Sequence, residues 1–217
     1  STAAWFGLSQ AALGAGRDSQ SEEALARAVQ RDSNPEWYRS RVYAAFALGR
    51  DEAVVRAAKA FIDAVGWGSE SAPYTAYASA LASMRLGRQA DAAALLRQVS
   101  DVVPLASWQD LVAQFLAGQI RADQLLAKAK GDGERTEARA YAGMREAMAG
   151  RRDEALPHLR WVKEHGLKNY IEYGMATATL KRLEEAAKPA APYQDEDARA
   201  QPPPLRRRLP VRAPDHP

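Results

Sequence analysis

The 217-residue sequence predicts an all-α fold, a solenoid of helical hairpins closed by one last helix, and three observations predict it. Apolar residues recur at helical spacing in short runs broken by Arg, Asp, Gln and Glu. Glycine-led turns at Gly49-Arg50-Asp51, Gly87-Arg88-Gln89, Gly118 and Gly150-Arg151-Arg152-Asp153 follow one another near the roughly 34-residue period of a two-helix repeat. The stretch from Glu134 to Leu183 then shows one whole unit, with two helical patterns meeting at Gly150 and a third opening at about Asn169.

Each element has its own signal. Thr2 to Ala15 carries Trp5, Leu8, Ala12 and Leu13 at helical spacing and is stopped by Gly14 and Gly16. Ser21, followed by Glu22 and Glu23, is the expected cap of the second helix, whose buried stripe is Ala24, Leu25, Ala28 and Val29. Asp32-Ser33-Asn34 stops that helix. Pro35 opens the second hairpin, because a missing N–H costs nothing in a first turn. The hairpin runs from Glu36 to Val65, and Gly66 to Pro73 reads as a linker in which Trp67 plugs the edge of the stack. Tyr74 to Leu86 and Ala93 to Val99 make the third hairpin. Ser107 to Gly118 and the short Arg121 to Ala129 make the fourth, and Gly131-Asp132-Gly133 reads as a flexible break.

In the fifth hairpin, small Gly143 lets two helices touch, Ala155 takes the close packing position, and Leu159 and Val162 follow one and two turns on. Asn169 to about Ala187 closes the stack with Ile171, Met175, Ala178 and Leu180 on one side, because a terminal repeat has no further neighbour to bury it. The domain is expected over residues 1–187. From Lys188 proline dominates, so residues 188–217 are expected to be a disordered or polyproline-like tail, basic at Arg206, Arg207, Arg208 and Arg212.

Composition excludes several classes of function. An apolar fraction of 47% supplies a core, yet no run approaches the roughly 18 apolar residues of a membrane span. There is no cysteine, hence no disulfide, thiolate zinc site, cysteine nucleophile or lipid-acceptor thiol in these residues. A formal charge of +3 set against 30 basic and 27 acidic residues describes a mixed surface and no nucleic-acid stripe. Membrane contact is expected only through the basic tail. The sequence opens at Ser1, without an initiator methionine and already inside a helical pattern. The compartment stays open, with the cytoplasm favoured and the cell envelope as the alternative.

No catalytic constellation stands out. His158 lies four residues after Glu154, and His165 lies further along the same helix. With no second ligand pair, the expectation is a surface Glu-His contact and a histidine at a helix C-terminus, not a metal site. The acids fall at turns and on polar faces. There is no phosphate-binding glycine loop and no serine motif with a partnered histidine. The expectation is a non-enzyme without metal or cofactor.

The glycine and alanine positions of the hairpins resemble tetratricopeptide repeats, which implies a right-handed superhelix of about five hairpins with a C-terminal capping helix. From Ser107 to Leu183 the likeness is closer. Trp108, Leu111, Val112, Phe115, Leu116, Gly118 and Ile120, then Glu137, Tyr141, Gly143, Gly150 and Ala155, and finally Asn169-Tyr170-Ile171-Glu172-Tyr173 with Ala176 and Leu180, resemble the C-terminal half of NlpI-type tetratricopeptide lipoproteins. That resemblance implies a bacterial envelope adaptor, often dimeric, that recruits proteases and cell-wall hydrolases. The lipidated cysteine of the family is absent here.

In tetratricopeptide proteins the first helix of each hairpin lines the concave face. Carried over, the family's positions fall on Arg39, Tyr43, Phe46, Tyr74, Tyr77, Met84, Arg85, Trp108 and Met144, with Phe46, Met84 and Trp108 expected in the core. Arg39, Tyr43, Tyr74, Tyr77 and Arg85 remain as the candidate partner-binding residues, a tyrosine and arginine composition typical of interaction hot spots. The expected function is a scaffold that holds a protein or peptide partner. The alternatives are a self-associating structural module, for example a homodimer, or the regulatory repeats of a larger enzyme chain.

Overall fold

Of six glycines with φ between +69° and +81°, five (Gly16, Gly49, Gly87, Gly118 and Gly150) set the architecture, one at each hairpin turn. A left-handed backbone is open to glycine at little cost, and here it ends the first helix of each pair in the same way. At Gly49 the glycine N–H bonds the Phe46 carbonyl at 3.0 Å and the next N–H, of Arg50, bonds the Ala45 carbonyl at 2.9 Å. The same two bonds recur after Gly16, Gly87, Gly118 and Gly150.

The computed structural model describes residues 1–187, which pack as one unit of eleven helices, with no strand among the described residues. The five hairpins are α1 (Thr2–Gly14) with α2 (Asp18–Arg31), α3 (Glu36–Ala47) with α4 (Asp51–Val65), α5 (Ala72–Arg85) with α6 (Gln89–Val102), α7 (Trp108–Leu116) with α8 (Ala122–Lys128), and α9 (Asp132–Met148) with α10 (Arg152–His165). The last helix is α11 (Ile171–Ala186). Hairpin partners pack on each other, and the first helices α1, α3, α5, α7 and α9 touch in series, which is the helix-pair packing of an α-solenoid. The tail assigned to residues 188–217 lies outside the described residues.

One layer is therefore made of first helices, and α5 is its centre, with every residue from Thr75 to Ser83 buried. Because α7 spans only 9 residues and α8 only 7, α9 reaches past them to contact α5 directly. The closing helix α11 does more than cover the end of the stack. It packs on α9 and α10 and also returns across the layer to α3.

Three local expectations are corrected. Ser21 is not a cap. The Gly16 turn starts α2 at Asp18, so Ser21 sits inside the helix, buried, and its hydroxyl donates to the Ser9 carbonyl at 2.6 Å. Gly131-Asp132-Gly133 is not a break, because α9 begins at Asp132. Gly133 instead makes room for Tyr170, whose Cζ would lie 2.9 Å from a Cβ at that position. Leu8 shares the helical spacing of α1 but is 49% exposed, and Ser9 faces inward in its place.

Sequence reading also passes over Arg41, the largest fully buried side chain of the unit. Its Nη1 reaches the Ser9 hydroxyl at 3.2 Å and bonds the Ser21 hydroxyl, while Nη2 pairs with Glu22 at 3.0 Å. One guanidinium thus ties α1, α2 and α3 together. A buried charge is tolerated only when it is paired and hydrogen-bonded in this way.

Candidate functional site

Where α11 starts, its first turn and the preceding loop face α3, α5 and α9 across a cavity of about 310 Å³. Arg39 and Tyr43 of α3, Tyr74 of α5, Glu137 of α9, and Tyr170 and Glu172 at the head of α11 line it. The helical period explains the convergence. Arg39 and Tyr43 stand one turn apart on one face of α3, and the tight turn at Leu167 to Tyr170, closed by a 3.0 Å backbone bond, lays the Tyr170 ring against Gly133 of α9 at the cavity wall.

Two carboxylates sit deep in this cavity, and both correct the expectation that the acids occupy polar faces. Glu137 is 5% exposed and Glu172 is 4% exposed. Glu137 accepts a 2.7 Å hydrogen bond from the Trp108 indole N–H, and Glu172 accepts a 2.8 Å bond from the Tyr141 hydroxyl. No Lys, Arg or His among the described residues forms an ion pair with either acid. Burial, followed by the charge of Glu172, pushes the Glu137 carboxyl up to about 8, against the opposing pull of the Trp108 hydrogen bond. Burial likewise raises Glu172. A sequence signal exists for both. Each acid stands in an otherwise apolar stripe, Glu137 with Tyr141 and Met144, Glu172 with Met175, Ala176 and Leu180.

Of the five predicted residues, three reach the cavity. Arg39 lies at its mouth, with 32% of its side chain exposed, and its Nε donates to Glu36 at 2.6 Å. The Tyr43 hydroxyl is buried beside Thr75, and burial raises the phenol to about 12 against the opposing pull of the Thr75 hydroxyl. Tyr74 stands edge-on to Tyr77 with ring centroids 5.9 Å apart.

The other two are elsewhere. Tyr77 is fully buried, between Tyr74 and Tyr141, and its hydroxyl donates to the Gln109 carbonyl at 2.6 Å, so it is a core residue joining α5 to α7. Arg85 grips Asp51, with Nε 2.8 Å and 2.9 Å from the two carboxylate oxygens, and stacks over the Phe46 ring at 4.6 Å. It braces α3, α4 and α5 and does not join the cavity.

The histidines fall apart as well. His158 packs beside Arg139, Nδ1 to Nη1 3.3 Å, and forms no ion pair with Glu154; burial first and Arg139 second lower its pKa. His165 lies against the Trp161 ring at 5.5 Å. Among the described residues no group of three or more His, Asp or Glu is placed to hold a metal. No described helix is long and apolar enough to cross a membrane.

No family model matches the chain, and no curated protein matches it significantly.

Proposed function

We propose that this chain is a non-catalytic scaffold of the tetratricopeptide type, a right-handed superhelix that holds a protein or peptide partner at the layer of first helices. The reading is supported most by one convergence. Residues from two separate hairpins, Arg39, Tyr43 and Tyr74, meet Tyr170 and Glu172 of the closing segment around a single open cavity. Tyrosine-rich, partly desolvated pockets of this kind are where binding energy concentrates. The return of α11 to α3 occupies part of that layer. The scaffold therefore takes a short segment or a few anchoring side chains at the cavity, not an extended peptide along the whole layer.

A photo-crosslinking residue placed at Tyr170 in the full chain tests this reading, with the same residue at exposed Leu8 as the control. In native extract, position 170 should trap a distinct protein that position 8 does not. The purified partner should then bind Tyr74→Ala about fivefold or more weakly than the wild-type chain. Trapping of the chain alone, or of the same proteins from both positions, would replace this reading with self-association or nonspecific contact.

A further inference from the structure

We infer that the cavity between α3, α5, α9 and the head of α11 is a recognition site for an organic cation, namely the lysine or arginine head group of a partner segment. This rests on the scaffold reading and gives it a chemistry. Three donors behind the cavity wall are engaged: the Trp108 indole with Glu137, the Tyr141 hydroxyl with Glu172, the Tyr77 hydroxyl with the Gln109 carbonyl. What the cavity itself presents is two deep carboxylates that no described Lys, Arg or His pairs with, beside the rings of Tyr43, Tyr74 and Tyr170. Glu137 is 5% exposed, and its second oxygen, Oε1, has no hydrogen bond from any described residue. Glu137 and Tyr43 both line the cavity, with the Tyr43 hydroxyl buried beneath its wall beside Thr75.

Tyrosine rings supply negative faces beside these acceptors, which is the setting that attracts alkylammonium and guanidinium groups. The single arginine at the mouth does not oppose entry, because Arg39 is ion-paired to Glu36 on its own helix. A cation finds acceptors that no protein group occupies.

The groups facing Glu137 are Glu172 and Tyr170 from the head of α11, Tyr74 and Tyr77 from α5, the Trp108 indole from α7, Glu134 on α9 itself, and the Arg39–Glu36 pair of α3. With the acid held up to about 8, an entering cation displaces its proton. Affinity should therefore rise with pH, by at most about tenfold per unit, and level off once Glu137 is ionised in the empty site. The lysine head group itself stays charged up to about pH 10.

The test titrates the full chain by NMR with N-acetyl-lysine methylamide and with its uncharged isostere, N-acetyl-norleucine methylamide. The lysine compound should bind about tenfold or more tightly than the norleucine compound, and more tightly at pH 8 than at pH 6. Glu137→Gln, which preserves an acceptor for Trp108, should erase most of that preference and the pH slope. Tyr74→Leu takes an aromatic face from the cavity wall, and lysine binding should weaken severalfold. Equal binding of the two compounds, or unchanged lysine binding by Glu137→Gln, overturns the inference. 1,5-Diaminopentane should bind no better than the lysine compound; a hundredfold preference for it overturns the peptide as the source. The two readings also separate. Trapping at position 170 that persists in saturating lysine compound sinks the cation site and keeps the scaffold. Lysine binding with no trapped partner does the reverse.

Discussion

Arg182, in α11, donates through Nη1 to the carbonyl oxygen of Phe46 at 3.1 Å, a bond between residues 136 positions apart in the chain. The same nitrogen reaches the Ala47 carbonyl at 2.7 Å, and the guanidinium lies 5.9 Å from the Phe46 ring. The last carbonyls of a helix carry its negative end, so a cation there is favoured. The Phe46 carbonyl already accepts the Gly49 N–H, and Arg182 adds a second donor to it and supplies one to Ala47. Burial and the nearby Arg85 hold Arg182 down to about 10. It remains charged at neutral pH, and the contact latches the closing helix to the second hairpin.

Removing that latch should loosen both ends of α11. Arg182→Ala is expected to lower unfolding stability by about 1.5–3 kcal/mol, the range for hydrogen bonds made by a charged group. Urea unfolding measures the loss. Hydrogen exchange should show α11 opening first, ahead of α9 and α10. Stability unchanged within about 0.5 kcal/mol would mean that the contact adds nothing to the fold.

Gly143 and Gly174 should respond oppositely to the same change. A Cβ at Gly143 would lie 2.6 Å from Leu159 Cδ2 and 3.2 Å from the Ala155 carbonyl, so Gly143→Ala forces α9 and α10 apart. The overpacking cost of about 1–3 kcal/mol exceeds the roughly 1 kcal/mol gained in helix propensity. Gly174 is also helical but has nothing within 4 Å, so Gly174→Ala should raise stability by about 0.5–1 kcal/mol. Thermal melting of the two variants decides the matter, and a stabilised Gly143→Ala would contradict the close approach.

Glu137 makes stability depend on pH in an unusual direction. Its folded carboxyl is raised to about 8 from an ordinary 4.5, so between those values the native state holds a proton that the unfolded chain has lost. By linkage, this group's contribution falls as pH rises through that window, by up to about 1.4 kcal/mol per unit, and is constant outside it. Glu137→Gln removes the term. The stability difference between Glu137→Gln and wild type should therefore grow in the variant's favour from pH 5 to pH 8, measured by urea unfolding at each pH. A difference independent of pH would place the carboxyl at its ordinary value.

The hairpin order was legible in the sequence because it is local. A glycine that can turn left-handed, an apolar stripe before it and an acid soon after determine where each pair folds over, and all five turns are built by the same two backbone bonds. Gly143, Ala155 and Leu159 were legible for the same reason, since the repeat fixes which faces of two adjacent helices must touch. Tertiary structure decided what the layer of first helices presents. Burial of Tyr77 depends on α7 and α9 closing over α5, and the bracing role of Arg85 depends on Asp51, 34 residues earlier in the chain. The pairing of Glu137 with Glu172 in one cavity depends on α11 returning to α3 instead of only capping α10. Periodicity says which side of a helix is covered. It does not say which distant helix covers it, and a cavity is defined by that second surface.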